Sequence, residues 1–251
     1  MITLYDNAFS PFARKVRMVL EHKRLPFEAV DGLLAAHHDR LAAVNPRREV
    51  PTLVDGDLVV VNSPQIVAYL EQRYPERPVY PADPTTRAAA LAWERIADTR
   101  LDAITHDASN GGFGFPDDTR PPGLLEAARA DLAPIYAQLE HTLGEREFLC
   151  GTLSLAELAL FPHLTAVKFL DIAFDGPTHP HLLAWYKRLR QHDVCRADLE
   201  RTQAFLRGVG PTLQRPTRII WRGDRIEWML ARGFHEWFFG EVRAGRIGFP
   251  G

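Results

Sequence analysis

Three short stretches hold residue types that could carry chemistry. The first is FSPFARKVRMVL, residues 9–20, which follows an apolar and β-branched run at residues 1–5. From Pro11 onward Phe12, Val16, Val19 and Leu20 recur at helical spacing, with Arg14, Lys15 and Arg17 between them on what reads as a solvated outer face. Pro11 suits a first helical turn because its missing N–H has no intrahelical partner there, which makes Ser10 the natural N-cap. A hydroxyl in that place can donate a hydrogen bond to an anion, and the free N–H groups and dipole of the helix favour negative charge too. A thiolate is the obvious candidate. Lowering a thiol pKa of about 8.5 by about 2 units takes roughly 2.7 kcal/mol, within reach of one hydrogen bond plus a helix terminus. On spacing alone, simple capping explains Ser10 equally well.

The second stretch is Val50-Pro51, ahead of a short strand at residues 52–54. Proline fits a strand's first residue because it has no ladder donor to give, and a cis bond there would turn the preceding N–H and C=O toward a ligand. An ordinary trans bond is the commoner case, and both stay open. The third is Asn62-Ser63-Pro64-Gln65, where a serine and a proline open a helix whose outward N–H groups could hold a carboxylate or could simply be capped. The ten histidines and the two cysteines, Cys150 and Cys195, offer no credible metal-ligand set, and two distant thiols make no disulfide framework.

Behind these stretches the pattern predicts strand, helix, strand (residues 27–30), then a hairpin of residues 52–54 and 58–61 about Asp55-Gly56-Asp57, then a helix from Ser63. Prolines 75, 78, 81 and 84 mark a linker. Beyond it helical periodicity dominates residues 85–106, 124–143, 154–170 and 181–191. Residues 110–122 interrupt it with a Gly- and Pro-rich loop, a possible lid. This gives an α/β domain at 1–80, an all-α domain at 85–210, and an aromatic-rich extension at 211–251. In the extension Ile226, Met229, Leu230 and Phe234 recur at the spacing of one helix packed on the helical domain.

Charge excludes several classes of function. Lys plus Arg total 30 against 32 for Asp plus Glu, which gives no reason to invoke nucleic acid or an anionic membrane. No signal-peptide pattern opens the chain and no apolar run approaches the roughly 20 residues needed to span a bilayer, so a reducing cytoplasm is expected.

Taken together, SPFARKVRMVL, EVPTLVDGDLVVVNSPQIVAYLEQRYP and GTLSLAELALFPHL resemble, in order and separation, three signature regions of glutathione transferases, over about residues 1–207. S-P-F-A is similar to the start seen in omega, tau and related bacterial classes. The resemblance implies a thioredoxin-like N-terminal domain, an all-α C-terminal domain, glutathione as co-substrate, a small hydrophobic electrophile and a homodimer. It implies Ser10 as the catalytic hydroxyl, Val50 pairing with the cysteinyl backbone of glutathione beside a cis Pro51, and Ser63 binding the γ-glutamyl carboxylate. Asn62 departs from the pattern, standing where the family carries Glu or Gln. Trp93, Ile104, His106 and Phe113 are candidates for the electrophile site. Isomerase, dehalogenase or etherase chemistry at the same site is the alternative, as is a non-catalytic interaction protein on the same fold. Ser154-x-x-Glu157 reads as a capping box of purely structural use.

Overall fold

A computed structural model describes residues 1–32, 34–109, 120–209 and 218–249. It divides into two compact units: Met1–Glu94 with Arg146–Pro162 and Trp185–Arg207, and Arg95–Glu145 with His163–Ala184 and Gly208–Gly251.

The first unit holds a four-stranded mixed sheet in the order β2-β1-β3-β4, made of β1 (Ile2–Asp6), β2 (Phe27–Asp31), β3 (Thr52–Asp55) and β4 (Leu58–Val61). β2 runs parallel to β1, as the crossover through α1 (Pro11–Lys23) allows, while β3 and β4 are antiparallel. α2 (His38–Val44) follows a single 3-10 turn, and its Leu41 packs with Tyr5 and Val30. α2 lies where the sequence shows only a polar stretch, because one buried residue, Leu41, is too little for a periodic signal. α3 (Ser63–Arg73) packs beside α1. Gly32 has no room for a side chain: a Cβ there would stand 2.8 Å from Val50 Cγ1 and 2.9 Å from Leu41 Cδ2.

α1 departs from the expected amphipathic helix. Arg14, Lys15, Arg17 and Lys23 are all buried, so the helix has no solvated face. Long cations can be buried only when paired, and each of these is. Lys15 Nζ meets Glu94 on α4 (Pro84–Ile96) at 2.7 Å, and Lys23 Nζ meets Glu71 on α3 at 2.6 Å. The proline-rich segment between α3 and α4 is pinned as well, since Glu71 accepts from the N–H groups of Val79 and Tyr80.

The capping box forms at the start of α7 (Leu155–Phe169). Glu157 accepts from the N–H and hydroxyl of Ser154 at 3.0 and 2.8 Å and from the N–H of Leu149 at 2.7 Å, and Ser154 Oγ accepts from Ala156 N–H. Ser154→Ala is expected to lower stability by about 1 kcal/mol. Thermal unfolding checks this, and an unchanged melting temperature would contradict it. α8 (Pro180–Gln191) is followed by α9 (Asp193–Val209), a helix absent from the periodic segments. Its buried residues Cys195, Asp198 and Thr202 are spaced as a helix requires, but two of the three are polar, so they leave no apolar stripe.

α4 leads through a π-turn at Ala97–Leu101 into α5 (Asp102–Ala108) of the second unit, so the expected helix over residues 85–106 forms with one widened turn. α6 spans Leu124–Leu143. The extension forms two helices rather than one, α10 (Gly223–Ala231) and α11 (His235–Arg243). Gly233, at φ 83°, ends the first with bonds from Gly233 N–H to Leu230 and from Phe234 N–H to Met229, so Phe234 opens the second. Two short parallel strands, β5 (Arg218–Ile219) and β6 (Ile247–Gly248), flank them. Ile220, Met229, Phe238 and Ile247 bury around Leu124 of α6. Trp228 Nε1 and Arg232 Nε donate to Asp131 at 2.8 and 2.6 Å, and Arg225 grips Asp102 of α5 through Nε and Nη2 at 2.9 and 3.0 Å. Among the described residues, no helix is long and apolar enough to cross a membrane.

Candidate functional site

The sheet register decides which of the sequence candidates meet. Thr52 of β3 lies opposite Tyr5 of β1 on one side and Val61 of β4 on the other. The exit of β1, the entry to β3 and the exit of β4 therefore share one end of the sheet. The segments just beyond carry Ser10, Val50-Pro51 and Asn62-Ser63, all within the first unit.

Ser10 is the N-cap of α1, with extended backbone (φ −69°, ψ 114°), and its Oγ accepts the N–H of Ala13 at 3.3 Å. Accepting uses a lone pair and leaves the hydroxyl proton to donate elsewhere. Capping and donation to an anion are thus compatible at one atom. The loop delivering Ser10 is held by Asn7, whose Oδ1 accepts Phe9 N–H at 3.0 Å, whose carbonyl accepts Ser10 N–H at 3.1 Å, and whose Nδ2 donates to Asp31 Oδ1 at 3.1 Å. α9 braces the same loop: the Phe9 ring meets Phe205 edge-on at 4.9 Å, and Thr202 Oγ1 donates to the carbonyl of Ala8 at 3.4 Å.

The Val50–Pro51 bond is cis, which resolves the alternative left open by the sequence. The ladder begins at Thr52, so the N–H and C=O of Val50 lie outside it. Its side chain packs against the cluster of Tyr5, Val30 and Leu41. Asn62, rather than Ser63, occupies the N-cap of α3, at φ 68°, a left-handed value that asparagine tolerates better than most residues, and its side chain makes no cap bond. Ser63 is the first helical residue. It is 3% exposed, and its Oγ has no hydrogen-bond partner among the described residues. A buried hydroxyl without a partner costs free energy unless something completes it.

Beneath the Ser10 loop lies an ionic cluster that the sequence did not reveal. Asp198 of α9, wholly buried, accepts from Arg14 Nη2 at 2.6 Å and Arg17 Nη2 at 2.8 Å, while Arg17 Nη1 also pairs with Asp6 at the end of β1. Burial pushes the Asp198 carboxyl up, but Arg14 and Arg17 outweigh it and hold it below the usual carboxylate range. The available sequence signal was the number of cations on α1, too many for a helix that must cover a sheet.

The electrophile candidates fare differently. Trp93 is buried in the first unit and Ile104 in the second, each as a core residue, and His106 Nε2 stands 3.3 Å from Arg225 Nη1. Phe113 and the Gly-rich loop lie outside the described residues. Cys150 and Cys195 are free thiols, and burial pushes both upward in pKa. Among the described residues no group of three or more His, Cys, Asp or Glu could hold a metal ion.

Two family models match the chain, the glutathione S-transferase N-terminal domain over residues 4–78 and the glutathione S-transferase C-terminal domain over residues 99–188. Glutathione S-transferase 1 of Manduca sexta is 31% identical over 208 residues, 77% of this chain and 90% of the relative. A stringent starvation protein A homolog of Haemophilus influenzae is 28% identical over 212 residues, covering 84% of this chain and 91% of its own length. Among solved structures, a glutathione S-transferase from Rhodospirillum rubrum F11 superposes with a TM-score of 0.69 at 27% identity, over 79% of this chain and 92% of that one.

Proposed function

The chain belongs to the glutathione S-transferase superfamily, and from that premise we propose that it binds glutathione at the shared end of its sheet and activates the thiol for attack on a small hydrophobic electrophile. The observation that carries this is Ser63, whose buried and unpartnered hydroxyl sits in the first turn of α3. There it is matched to the γ-glutamyl carboxylate, with the helix N-terminus adding free N–H groups. Val50, its backbone outside the ladder beside the cis bond, is placed to pair with the cysteinyl backbone. Pro51 holds that turn, and Asn62 flanks the γ-glutamyl group.

Ser10 supplies the chemistry. Its hydroxyl donates to the sulfur, stabilising the thiolate once the thiol proton has left for solvent, and the N-terminus of α1 adds to the same effect. The sulfur then bonds to the electrophilic carbon, and either a leaving group departs or the product is an adduct. Serine forms no mixed disulfide, so conjugation is favoured over thiol–disulfide exchange. The site requires no metal, and we place the enzyme in the cytoplasm as a homodimer, in keeping with its free thiols and the family it belongs to.

Titration calorimetry of glutathione into the purified protein tests the assignment. A hydrogen bond to a charged group contributes about 1.5–3 kcal/mol, so Ser63→Ala is expected to weaken binding by roughly 10- to 100-fold. Equal affinity in the variant would remove Ser63 from the site. No binding by the wild type would favour a non-catalytic interaction protein on the same fold.

A further inference from the structure

We infer that Asn7 is the positioning residue of the Ser10 hydroxyl, an inference that rests on the role proposed for Ser10 above. Asn7 is buried in the turn between β1 and α1, and its backbone and side-chain polar groups all make hydrogen bonds there or to β2. Its own N–H donates to Asp6 Oδ1 at 2.7 Å, its Oδ1 accepts from Phe9 N–H, its Nδ2 reaches Asp31 at the end of β2, and its carbonyl accepts from Ser10 N–H. The Oδ1 bond to the residue two places on is an Asx turn, in which a side chain does the work of a backbone turn.

Two of these bonds fix the chain immediately before Ser10, and the other two tie that turn to β1 and β2. Direction at the N-cap matters because donation to a developing charge weakens steeply when the donor is misplaced. Among the described residues the Ser10 hydroxyl is bonded by the Ala13 N–H on its acceptor side and shows no acceptor for its proton, so the direction of that proton follows from where the loop places the residue. Asn7 touches none of the reacting atoms and acts through the backbone of the loop.

Three variants of the intact protein test this: Asn7→Ala, Ser10→Ala and the double variant. Each is measured for kcat and KM with glutathione and an aryl halide over a range of pH, and for ionisation of the bound thiol by thiolate absorbance. Asn7→Ala is expected to raise the apparent pKa of bound glutathione by about 1 unit and to lower kcat/KM about tenfold near neutral pH, with KM for glutathione changed less than about twofold. In the Ser10→Ala background the same change is expected to add nothing, since a positioning residue has no effect without the group it positions. Asn7→Ser keeps an acceptor within reach of Phe9 N–H and is expected to recover most of the pH profile, whereas Asn7→Gly removes the same side-chain bonds as Asn7→Ala and replaces it in every comparison if Asn7→Ala does not fold. A Ser10→Ala variant with full turnover would sink the role of Ser10 and this inference together. If Ser10→Ala loses turnover while Asn7→Ala (or Asn7→Gly in its place) keeps the wild-type thiol pKa, or if the losses add in the double variant, the positioning role alone is overturned.

Discussion

Asp198→Ala is expected to destabilise the protein by about 3–5 kcal/mol, the cost of removing one partner from a buried ionic cluster. Asp198 is wholly buried and holds both Arg14 and Arg17, so its loss removes from two buried guanidinium groups the carboxylate they share. Replacing Arg14 and Asp198 together with Met and Leu is expected to cost less than Asp198→Ala alone, because no buried charge is then stranded and Arg17 keeps Asp6. Urea unfolding of the two variants checks this order, and a larger loss in the double variant would refute it. The pH dependence follows from the same carboxylate. Its folded pKa is depressed, so its stabilisation is complete above the unfolded value of about 3.9 and is lost as pH falls through the folded one. Asp198→Asn should therefore flatten the acid limb of the unfolding curve.

Ser10→Ala is expected to lower kcat by about 10²-fold or more, as removal of one oxyanion donor does elsewhere, equivalent to roughly 2.7 kcal/mol or more. Ser10 also caps α1, so a stability loss of about 1 kcal/mol should accompany the kinetic one. The two separate on a pH profile. Lost capping lowers the melting temperature at every pH, whereas lost donation to sulfur raises the thiol pKa and leaves more activity at high pH. Steady-state rates with glutathione and an aryl halide between pH 6 and 9 provide the measurement. Undiminished turnover would exclude Ser10 from the chemistry.

The strands were legible as short apolar and β-branched runs bounded by turn residues, and α1, α3 and the long helices because apolar residues recur along them at helical spacing. The positions of Ser10 and Pro51 were legible for a different reason: cap and strand-start chemistry restricts which residues can stand there, whereas at α3 the cap falls one residue before the serine, on Asn62. Two of the hidden features bury polar side chains. α9 presents Asp198 and Thr202 inward beside Cys195, and α1 buries Arg14, Lys15, Arg17 and Lys23, so a rule that equates charge with solvent misread α1 and left α9 without a signal. The cis state of Val50–Pro51 has no signal in residue type, and the break in the extension turned on Gly233 alone, one residue inside an otherwise unbroken helical pattern. The Asx turn of Asn7 is local, yet asparagine after a strand marks turns of many kinds and says nothing about which N–H it will hold.

The pairing of Arg14 with Asp198 also bears on synthesis, because the two residues stand 184 apart in the sequence. At about 5–20 residues per second, a ribosome exposes Arg14 roughly ten to forty seconds before Asp198 has been made. During that interval Arg14 on the nascent first helix lacks the Asp198 carboxylate that it meets in the folded protein, and water solvates it instead. The first helix to be translated is therefore among the last to be seated. A growing chain of this kind would depend, over that window, on factors that shield it near the tunnel exit.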